Sequence, residues 1–301
     1  MTIWRAKMNS RRPDVDPDAH WDGARKYARE KSVVGVGWGH ARRDNAPFDE
    51  VIAAIESRSG RWAVTRLAKQ VQDGDLIWTR DRGGDYWLGR VEGPWRYDDS
   101  EEARKWDLNN VRDCAWLTEP MRDFDVPGAV VRSFTGRGQA LTRILGTGAI
   151  KMTELIYERA TNPGAPRTTM DPAEVIKHLL DPIDVEDVVL LFLQSEGWLL
   201  LPSTRMHDTP LYEAALRDQE GQLAVVAVKS GSSNPVPVPE IVEEVRRNRA
   251  KVFVYSSHDR YDDPPPEKHG AVVLTRVQLV NFMSQHPELL TPRIARWITP
   301  G

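Results

Sequence analysis

Short β-like runs separated by Gly and Asp dominate the first half of the chain. In these runs apolar residues follow one another or alternate with polar ones, as in half-buried strands. The runs lie at 32–37, 76–78, 86–91 and 129–134, and one helical pattern lies at 49–57. The pattern predicts a small β-barrel-like domain with peripheral helices.

A different pattern begins after this region. A helix is predicted from Gln139 to about Ala160, and Pro163, Gly164 and Pro166 predict a linker after it, since proline cannot continue a helix. Beyond the linker, the periodicity predicts helices at 184–195, 239–249 and 277–284 and strands at 198–203, 211–216, 223–229, 252–255 and 271–274. The fold class predicted is a two-domain α+β or α/β protein, with domains at 1–148 and 183–301 joined by a helix and linker at 149–182. The second domain is expected to be a mixed sheet flanked by helices.

Composition indicates an ordinary globular protein. The 301 residues are 40% hydrophobic and 28% charged, which excludes a collagen-like or largely disordered chain. The single cysteine, Cys114, has no partner for a disulfide within the chain. The N-terminus lacks an apolar signal region, and the longest apolar stretch, 188–201, is interrupted by polar residues. We therefore expect a cytoplasmic protein without a membrane span.

A net charge of −3 excludes a uniformly basic nucleic-acid binder but permits local basic patches. Nine of the 11 tryptophans precede residue 120. Those with apolar or amphipathic neighbours are expected to pack in the core: Trp4, Trp62, Trp78, Trp106 and Trp116. Those with glycine or polar neighbours are predicted to line an open pocket where a flat ligand such as a base could stack: Trp21, Trp38, Trp87, Trp95 and, with them, Tyr97.

The segments VGVGWG and, about forty residues later, GDLIWTRDRGGDYWLGRVEGPWRY resemble the EVE/PUA-like domains of bacterial restriction-type proteins. The resemblance covers roughly residues 1–148. It implies a PUA-like β-barrel in which an aromatic cage holds a flipped, modified base.

Two charged residues are predicted to converge in the second half. Side chains alternate along a strand, so Glu213 shares a face with Leu211 and Ala215, and Lys229 shares one with Val225 and Ala227. A carboxylate that holds a divalent cation and an ammonium that stabilises negative charge suit phosphodiester hydrolysis. An ordinary cross-strand ion pair is the alternative interpretation.

The order helix, Gly197-Trp198, strand, Tyr212-Glu213 and Ala224-Val-Val-Ala-Val-Lys229 resembles the PD-(D/E)XK nuclease core of Mrr-type restriction endonucleases. The resemblance implies Mg²⁺ or Mn²⁺ as cofactor, with Glu213 as the metal-binding acid, Lys229 as the catalytic lysine and Glu186 as an accessory acid. Ala227 stands where that family has an acidic residue or Gln, and a methyl group cannot bind a metal. Asp208 is the candidate substitute ligand.

The resulting hypothesis is a modification-dependent, restriction-endonuclease-like protein. It would bind double-stranded DNA that carries a modified base and cut it, as a homodimer joined through the C-terminal domain. Two alternatives remain open at this point: a catalytically inactive modified-DNA-binding protein with a degenerate nuclease core, and an RNA-directed reader or nuclease.

Overall fold

The structure is a computed structural model that describes residues 1–8, 17–39, 41, 43–135, 138–164, 169–206, 211–230, 235–262 and 265–299. The chain forms two compact units. Unit 1 comprises Met1–Leu145 and Ala149–Ala165, and unit 2 comprises Gly146–Gly148 and Pro166–Gly301. No helix in the described ranges is long and apolar enough to cross a membrane.

Unit 1 is built on a six-stranded sheet in the order β2-β5-β4-β3-β1-β6. Its strands are β1 (Ile3–Ala6), β2 (Val33–Val36), β3 (Leu76–Arg80), β4 (Tyr86–Tyr97), β5 (Asn110–Trp116) and β6 (Leu141–Ile144). Its helices are α1 (Pro17–Glu30), α2 (Phe48–Ala54), α3 (Arg58–Lys69), α4 (Glu101–Lys105), α5 (Gly128–Thr135) and most of α6 (Thr147–Thr161), with a 3₁₀ turn at Asp123–Asp125.

The sheet of unit 1 is mixed. β1 and β3 are parallel, and the other ladders are antiparallel. Cα atoms of β2 come within 8 Å of β1, so the sheet curls, although no ladder among the described strands closes it into a barrel. α3 packs into the concave side, where Val64 and Leu67 are fully buried in the main core of the unit.

Two predicted elements of unit 1 are wrong. Residues 129–134, read as a β-like run because of Val130 and Val131, lie in α5, where burial of Val130 outweighs the weak helix preference of valine. The helix predicted from Gln139 begins later, because residues 141–144 pair with β1 as strand β6. The pattern also did not predict α1 or α3.

Unit 2 is built on a five-stranded mixed sheet in the order β11-β10-β9-β8-β7. β9, β10 and β11 are parallel, and β7 and β8 are antiparallel additions. The strands are β7 (Leu199–Leu200), β8 (Ala214–Arg217), β9 (Leu223–Lys229), β10 (Lys251–Ser256) and β11 (Val272–Val273). The predicted mixed sheet flanked by helices is confirmed at this level.

The helices of unit 2 are α7 (Pro172–His178), α8 (Pro182–Ser195), α9 (Val238–Val245), α10 (Arg276–Gln285) and α11 (Pro292–Ala295). Further 3₁₀ turns lie at Pro202–Met206, Arg246–Asn248, Pro266–His269 and Pro287–Leu289. α9 packs its apolar residues on β9 and β10. The segment predicted as a connection, 149–182, is thus divided, since α6 lies mostly with unit 1 and α7 with unit 2.

Candidate functional site

Unit 1 contains a cavity of 990 Å³. Its walls come from the residues after β1, the end of β2, the first turns of α3, the segment before β5 and the residues before β6. Two tryptophans from different elements line it, Trp38 after β2 and Trp62 in α3. The cavity therefore has the aromatic lining that base stacking requires.

Trp38 is held in an uncommon backbone conformation. Its φ is +66°, a left-handed value that is rare for a bulky residue and is often found at functional sites. The backbone N–H of Trp38 donates to Oδ1 of Asp107 at 3.0 Å. Gly37 permits this contact, because a Cβ there would lie 2.5 Å from Oδ2 of Asp107. The carboxylate thus holds the backbone of Trp38 in this conformation.

The first turn of α3 packs directly on the indole of Trp38. Ser57 caps the helix by accepting a hydrogen bond from the Gly60 N–H at 3.1 Å. A Cβ at Gly60 would lie 2.6 Å from Cδ1 of Trp38, closer than two carbon atoms can approach. Glycine at position 60 is therefore needed for the close approach of the helix to the ring.

Trp62 lines the cavity although its sequence context predicts a packing role. The side chain is half-buried, and the Arg66 guanidinium carbon lies 3.3 Å from the ring centroid, one helical turn away. Arg66 also donates to the carbonyl oxygen of Leu141 at 3.2 Å. Ser57, a typical N-cap residue, is the sequence feature that could have indicated helix α3, and with it the position of Trp62. The hydrophobic pattern alone did not predict this helix.

The other predicted aromatic residues lie elsewhere in unit 1. Arg29 lies 3.9 Å from the ring centroid of Trp87, and Trp95 packs edge-to-face on Phe48 at 5.6 Å. Neither tryptophan lines the cavity.

Tyr97 is a core residue, in contrast to the prediction of an open position. It is 1% exposed, and its hydroxyl donates to the Ala41 carbonyl oxygen at 3.0 Å. Trp21 lies in α1, but its side chain is outside the described part of the structure.

A buried arginine supports the cavity wall. Arg5 is 2% exposed and donates to the carbonyl oxygens of Ser133 at 2.9 Å and Gln139 at 2.6 Å. Burial lowers the pKa of Arg5 to about 10, so it remains a cation at neutral pH. Burial, and secondly the charge of Arg5, lower the pKa of Lys7, which lines the cavity. The wall near residue 139 is thus tied to β1 by charge-assisted hydrogen bonds.

In unit 2, the predicted alternation of side chains fails just before β8. The strand begins at Ala214, and the N–H of Glu213 donates to the Val226 carbonyl oxygen at 2.8 Å. Leu211 and Tyr212 both pack against the same apolar cluster, which two successive residues of a regular strand do not do. The alternation of side chains along a strand therefore does not show on which face of the sheet the side chain of Glu213 lies.

Lys229 ends β9, where its Cα pairs with that of Ser256 in β10. Both Glu213 and Lys229 are half-buried. Ala227, two residues before the lysine, is fully buried in the apolar cluster.

Within the described ranges, no group of three His, Cys, Asp or Glu side chains is placed to hold an ion. Ala227 offers only a methyl group, and Asp208 lies outside the described residues. We therefore derive no chemical step through a metal.

Glu186 lies half-buried in α8. Two neighbouring carboxylates on this helix have a structural role that the sequence did not reveal. Nε of Arg293 donates to Asp184 at 2.6 Å and its Nη2 donates to Asp187 at 2.5 Å, while Arg205 contacts Asp187 at 2.6 Å. This network attaches α11 to α8.

No protein-family model matches the chain, and a search of curated proteins finds no match.

Proposed function

We propose that unit 1 binds a modified base of double-stranded DNA in the cavity lined by Trp38 and Trp62. The observation that carries the proposal is the pair of indoles, supplied by two different elements, around one cavity. Stacking on an aromatic side chain contributes about 1–3 kcal/mol per base, comparable to the few kcal/mol needed to take a base out of a duplex. The curl of the sheet, with β2 close to β1, supports the PUA-like barrel that the EVE resemblance implies.

The residues around the indoles have separate roles in this proposal. Trp38 stacks on the base, with its backbone held by Asp107 and its ring packed against Gly60. Trp62 supplies a second aromatic wall. Lys7 and Arg58 line the cavity and supply positive charge for the phosphates on either side of the flipped nucleotide.

The second part of the proposal is phosphodiester hydrolysis by unit 2. Lys229 would be the catalytic lysine that stabilises the negative charge developing on the phosphate, with Glu213 as the metal-binding acid and Glu186 as an accessory acid, as the Mrr-type resemblance implies. The mixed sheet and the Mrr-type resemblance support this assignment. A double-strand cut needs two such units, so we propose a homodimer joined through unit 2, acting on foreign DNA in the cytoplasm.

A non-cleaving reader is the second candidate function. The specific observation in its favour is Ala227, which is fully buried among apolar side chains where a metal-binding residue is expected. In this case unit 2 would serve DNA binding or assembly.

Cleavage of matched plasmids separates the two candidates. The plasmids are unmodified or carry 5-methylcytosine, 5-hydroxymethylcytosine or N6-methyladenine, and the full-length protein is supplied with Mg²⁺ or Mn²⁺. We expect cutting that requires a modification, disappears in Lys229→Ala and persists in the control Lys177→Ala, an exposed lysine of α7. Binding of modified DNA without cutting under either metal would establish the non-cleaving reader.

Binding in EDTA tests the base-reading step separately. Trp38→Ala and Trp62→Ala should each weaken binding of modified duplex at least tenfold, whereas Trp87→Ala, which changes an indole outside the cavity, should not. Equal loss in all three variants would contradict the assignment. Stronger competition by RNA than by modified duplex would instead identify an RNA reader.

A further inference from the structure

The carboxyl ends of two neighbouring parallel strands of unit 2 meet at one edge of its sheet. β9 ends at Lys229 and β10 ends at Ser256, and the Cα atoms of these two residues pair. Ala227 and Val254, two residues earlier in each strand, also pair and both lie in the apolar cluster that α9 covers. Because side chains alternate along a regular strand, Lys229 and Ser256 lie on this same face. Ligands of open α/β sheets bind outside this edge.

The charge at this edge comes from Lys229. The side chain is half-buried, follows an apolar strand and forms no ion pair with a carboxylate of the described residues. Asp259, in the turn after β10, instead lies 3.7 Å from Arg276. An ammonium group has three hydrogen-bond donors and no acceptor, and a partly buried charge is costly without a partner. This position therefore favours an anionic ligand.

The turn after β10 brings a tyrosine to the same face of the sheet. Oγ of Ser256 accepts a hydrogen bond from the Arg260 N–H at 3.1 Å, which shapes the turn. The next residue, Tyr261, forms an isolated bridge with Val236 before α9 and packs on the apolar cluster of α9, β9 and β10. Its ring therefore lies on the face that carries Lys229.

Two hydroxyl groups near this edge lack partners. The Tyr261 hydroxyl is buried without a hydrogen-bond partner in the described part of the chain, and so is the hydroxyl of Ser230, the residue after Lys229. Burial raises the pKa of Tyr261 to about 12, against a smaller opposing effect of the Ser256 backbone, so the phenol is a neutral donor at neutral pH. Buried donors without an acceptor are destabilising and rare in folded proteins. Together with the ammonium of Lys229, they indicate a bound group rich in acceptor oxygens.

We propose that this edge of unit 2 binds a phosphate group directly, with Lys229, Tyr261 and Ser230 as hydrogen-bond donors and without the need for a metal ion. A phosphate group has a negative charge and several acceptor oxygens, which match an ammonium and two hydroxyl groups. The inference rests on the placement of Lys229 at the phosphate in the proposed function. It does not depend on cleavage, since a non-cleaving reader would bind the same group.

Acetylation of individual lysines of the full-length protein, measured by mass spectrometry of its peptides, tests the proposal. The probes, added in EDTA, are inorganic phosphate and a short unmodified duplex. A bound phosphate covers the ammonium and keeps it protonated, so we expect at least one probe to slow acetylation of Lys229 about tenfold. Lys251, an exposed lysine at the opposite end of β10, is the internal control and should remain unprotected.

Conservative variants test the two hydroxyl groups. Tyr261→Phe keeps the ring but removes the donor, so it should raise the probe concentration that half-protects Lys229 about tenfold. Ser230→Ala should raise it severalfold. Tyr255→Phe is the matched control, because Tyr255 lies on the opposite face of β10, and it should leave the protection unchanged.

The two probes identify the source of the phosphate. Protection by the duplex at a lower phosphate concentration than by inorganic phosphate would support the inference with nucleic acid as the ligand. Protection by inorganic phosphate alone would support it with a free phosphate as the ligand.

Other outcomes would overturn the inference and are separate from failure of the proposed function. Absence of protection at Lys229, equal protection at Lys251, or protection only when Mg²⁺ is added would contradict a direct phosphate site, even if modified plasmids are cut. Unchanged protection in both Tyr261→Phe and Ser230→Ala would contradict the assigned donors. Protection in EDTA without cleavage under either metal would support the inference while the hydrolytic part of the proposed function fails.

Discussion

Gly60 has no side chain at the point where α3 contacts the indole of Trp38. In an ordinary helix, Gly→Ala raises stability by about 1 kcal/mol. Here the added Cβ would lie 2.6 Å from Cδ1 of Trp38, so the ring or the helix must move. We expect Gly60→Ala to weaken binding of modified DNA at least tenfold and to shift the tryptophan fluorescence.

Gly83→Ala is the matched control for this change. A Cβ at Gly83 would have only an ordinary contact, 3.5 Å from Oδ1 of Asp81, and Gly83 does not line the cavity. Loss of binding in this variant, or normal binding in Gly60→Ala, would show that the position of the Trp38 ring does not determine affinity.

Cys114 is 1% exposed, and burial, followed by the charges of Glu92 and Asp113, raises the pKa of its thiol. The folded state therefore holds this proton more tightly than the unfolded state does, and the corresponding stability is present below the ordinary thiol pKa and is lost above it. We expect the free energy of unfolding to fall between about pH 8 and about pH 9.5, below the usual range of tyrosine ionisation.

Urea unfolding at several pH values checks this expectation. Cys114→Ala removes the titrating group and should give a shallower fall over the same range, even if the smaller side chain costs about 1 kcal/mol at every pH. Equal pH slopes in the two proteins would contradict the assignment to Cys114.

At the scale of elements, α11 is too short to be stable alone, and its attachment to α8 depends on Arg293. This side chain is 11% exposed, and its partner Asp184 is fully buried. Removing one partner of a buried ion pair is strongly destabilising, because it leaves a charge in a low-dielectric environment. We expect Arg293→Ala to lower the free energy of unfolding by about 3 kcal/mol.

Arg205 provides the comparison within the same network. Its side chain is 36% exposed and contacts Asp187, so Arg205→Ala should cost under about 1 kcal/mol. Thermal unfolding of both variants measures the difference. Equal losses of unfolding free energy in the two variants would show that burial of the Arg293–Asp184 pair does not increase its contribution to stability.

The sequence predicts strands and helices correctly where the local hydrophobic pattern matches the way in which the residues are buried in the fold. β9 is an apolar run because neighbouring strands and α9 cover it, and such a run is visible in the sequence. The strand predicted at 129–134 is wrong because Val130 is buried on one face of helix α5 and not in a sheet. Local preference is weaker than tertiary burial at such a position.

At the scale of the whole molecule, a net charge of −3 means that DNA binding cannot depend on a general positive field. In the proposed function, individual cations near the cavity would contact phosphate instead. We expect Arg58→Gln to reduce the slope of log affinity against log salt by about 1, because one fewer counterion is released.

Arg43→Gln is the control for this prediction. Arg43 is exposed but pairs with Glu50 at 2.7 Å, so its loss should leave the salt dependence unchanged. Titrations at several salt concentrations measure both slopes, and a larger change for Arg43 would place the phosphate contacts elsewhere.

Sequence alone determined that the chain has two differently built halves, that most strands lie where apolar runs occur, and that Trp38 stands between glycines at the end of a strand. These properties are local, so the order of residues is enough to show them. Only the tertiary structure decided where each aromatic ring lies. Trp62 reaches the cavity because α3 packs against Trp38, whereas Tyr97 lies in the main core, where its hydroxyl donates to Ala41 of a distant segment. Exposure of a side chain depends on what the rest of the chain places against it, and residue spacing does not contain that information.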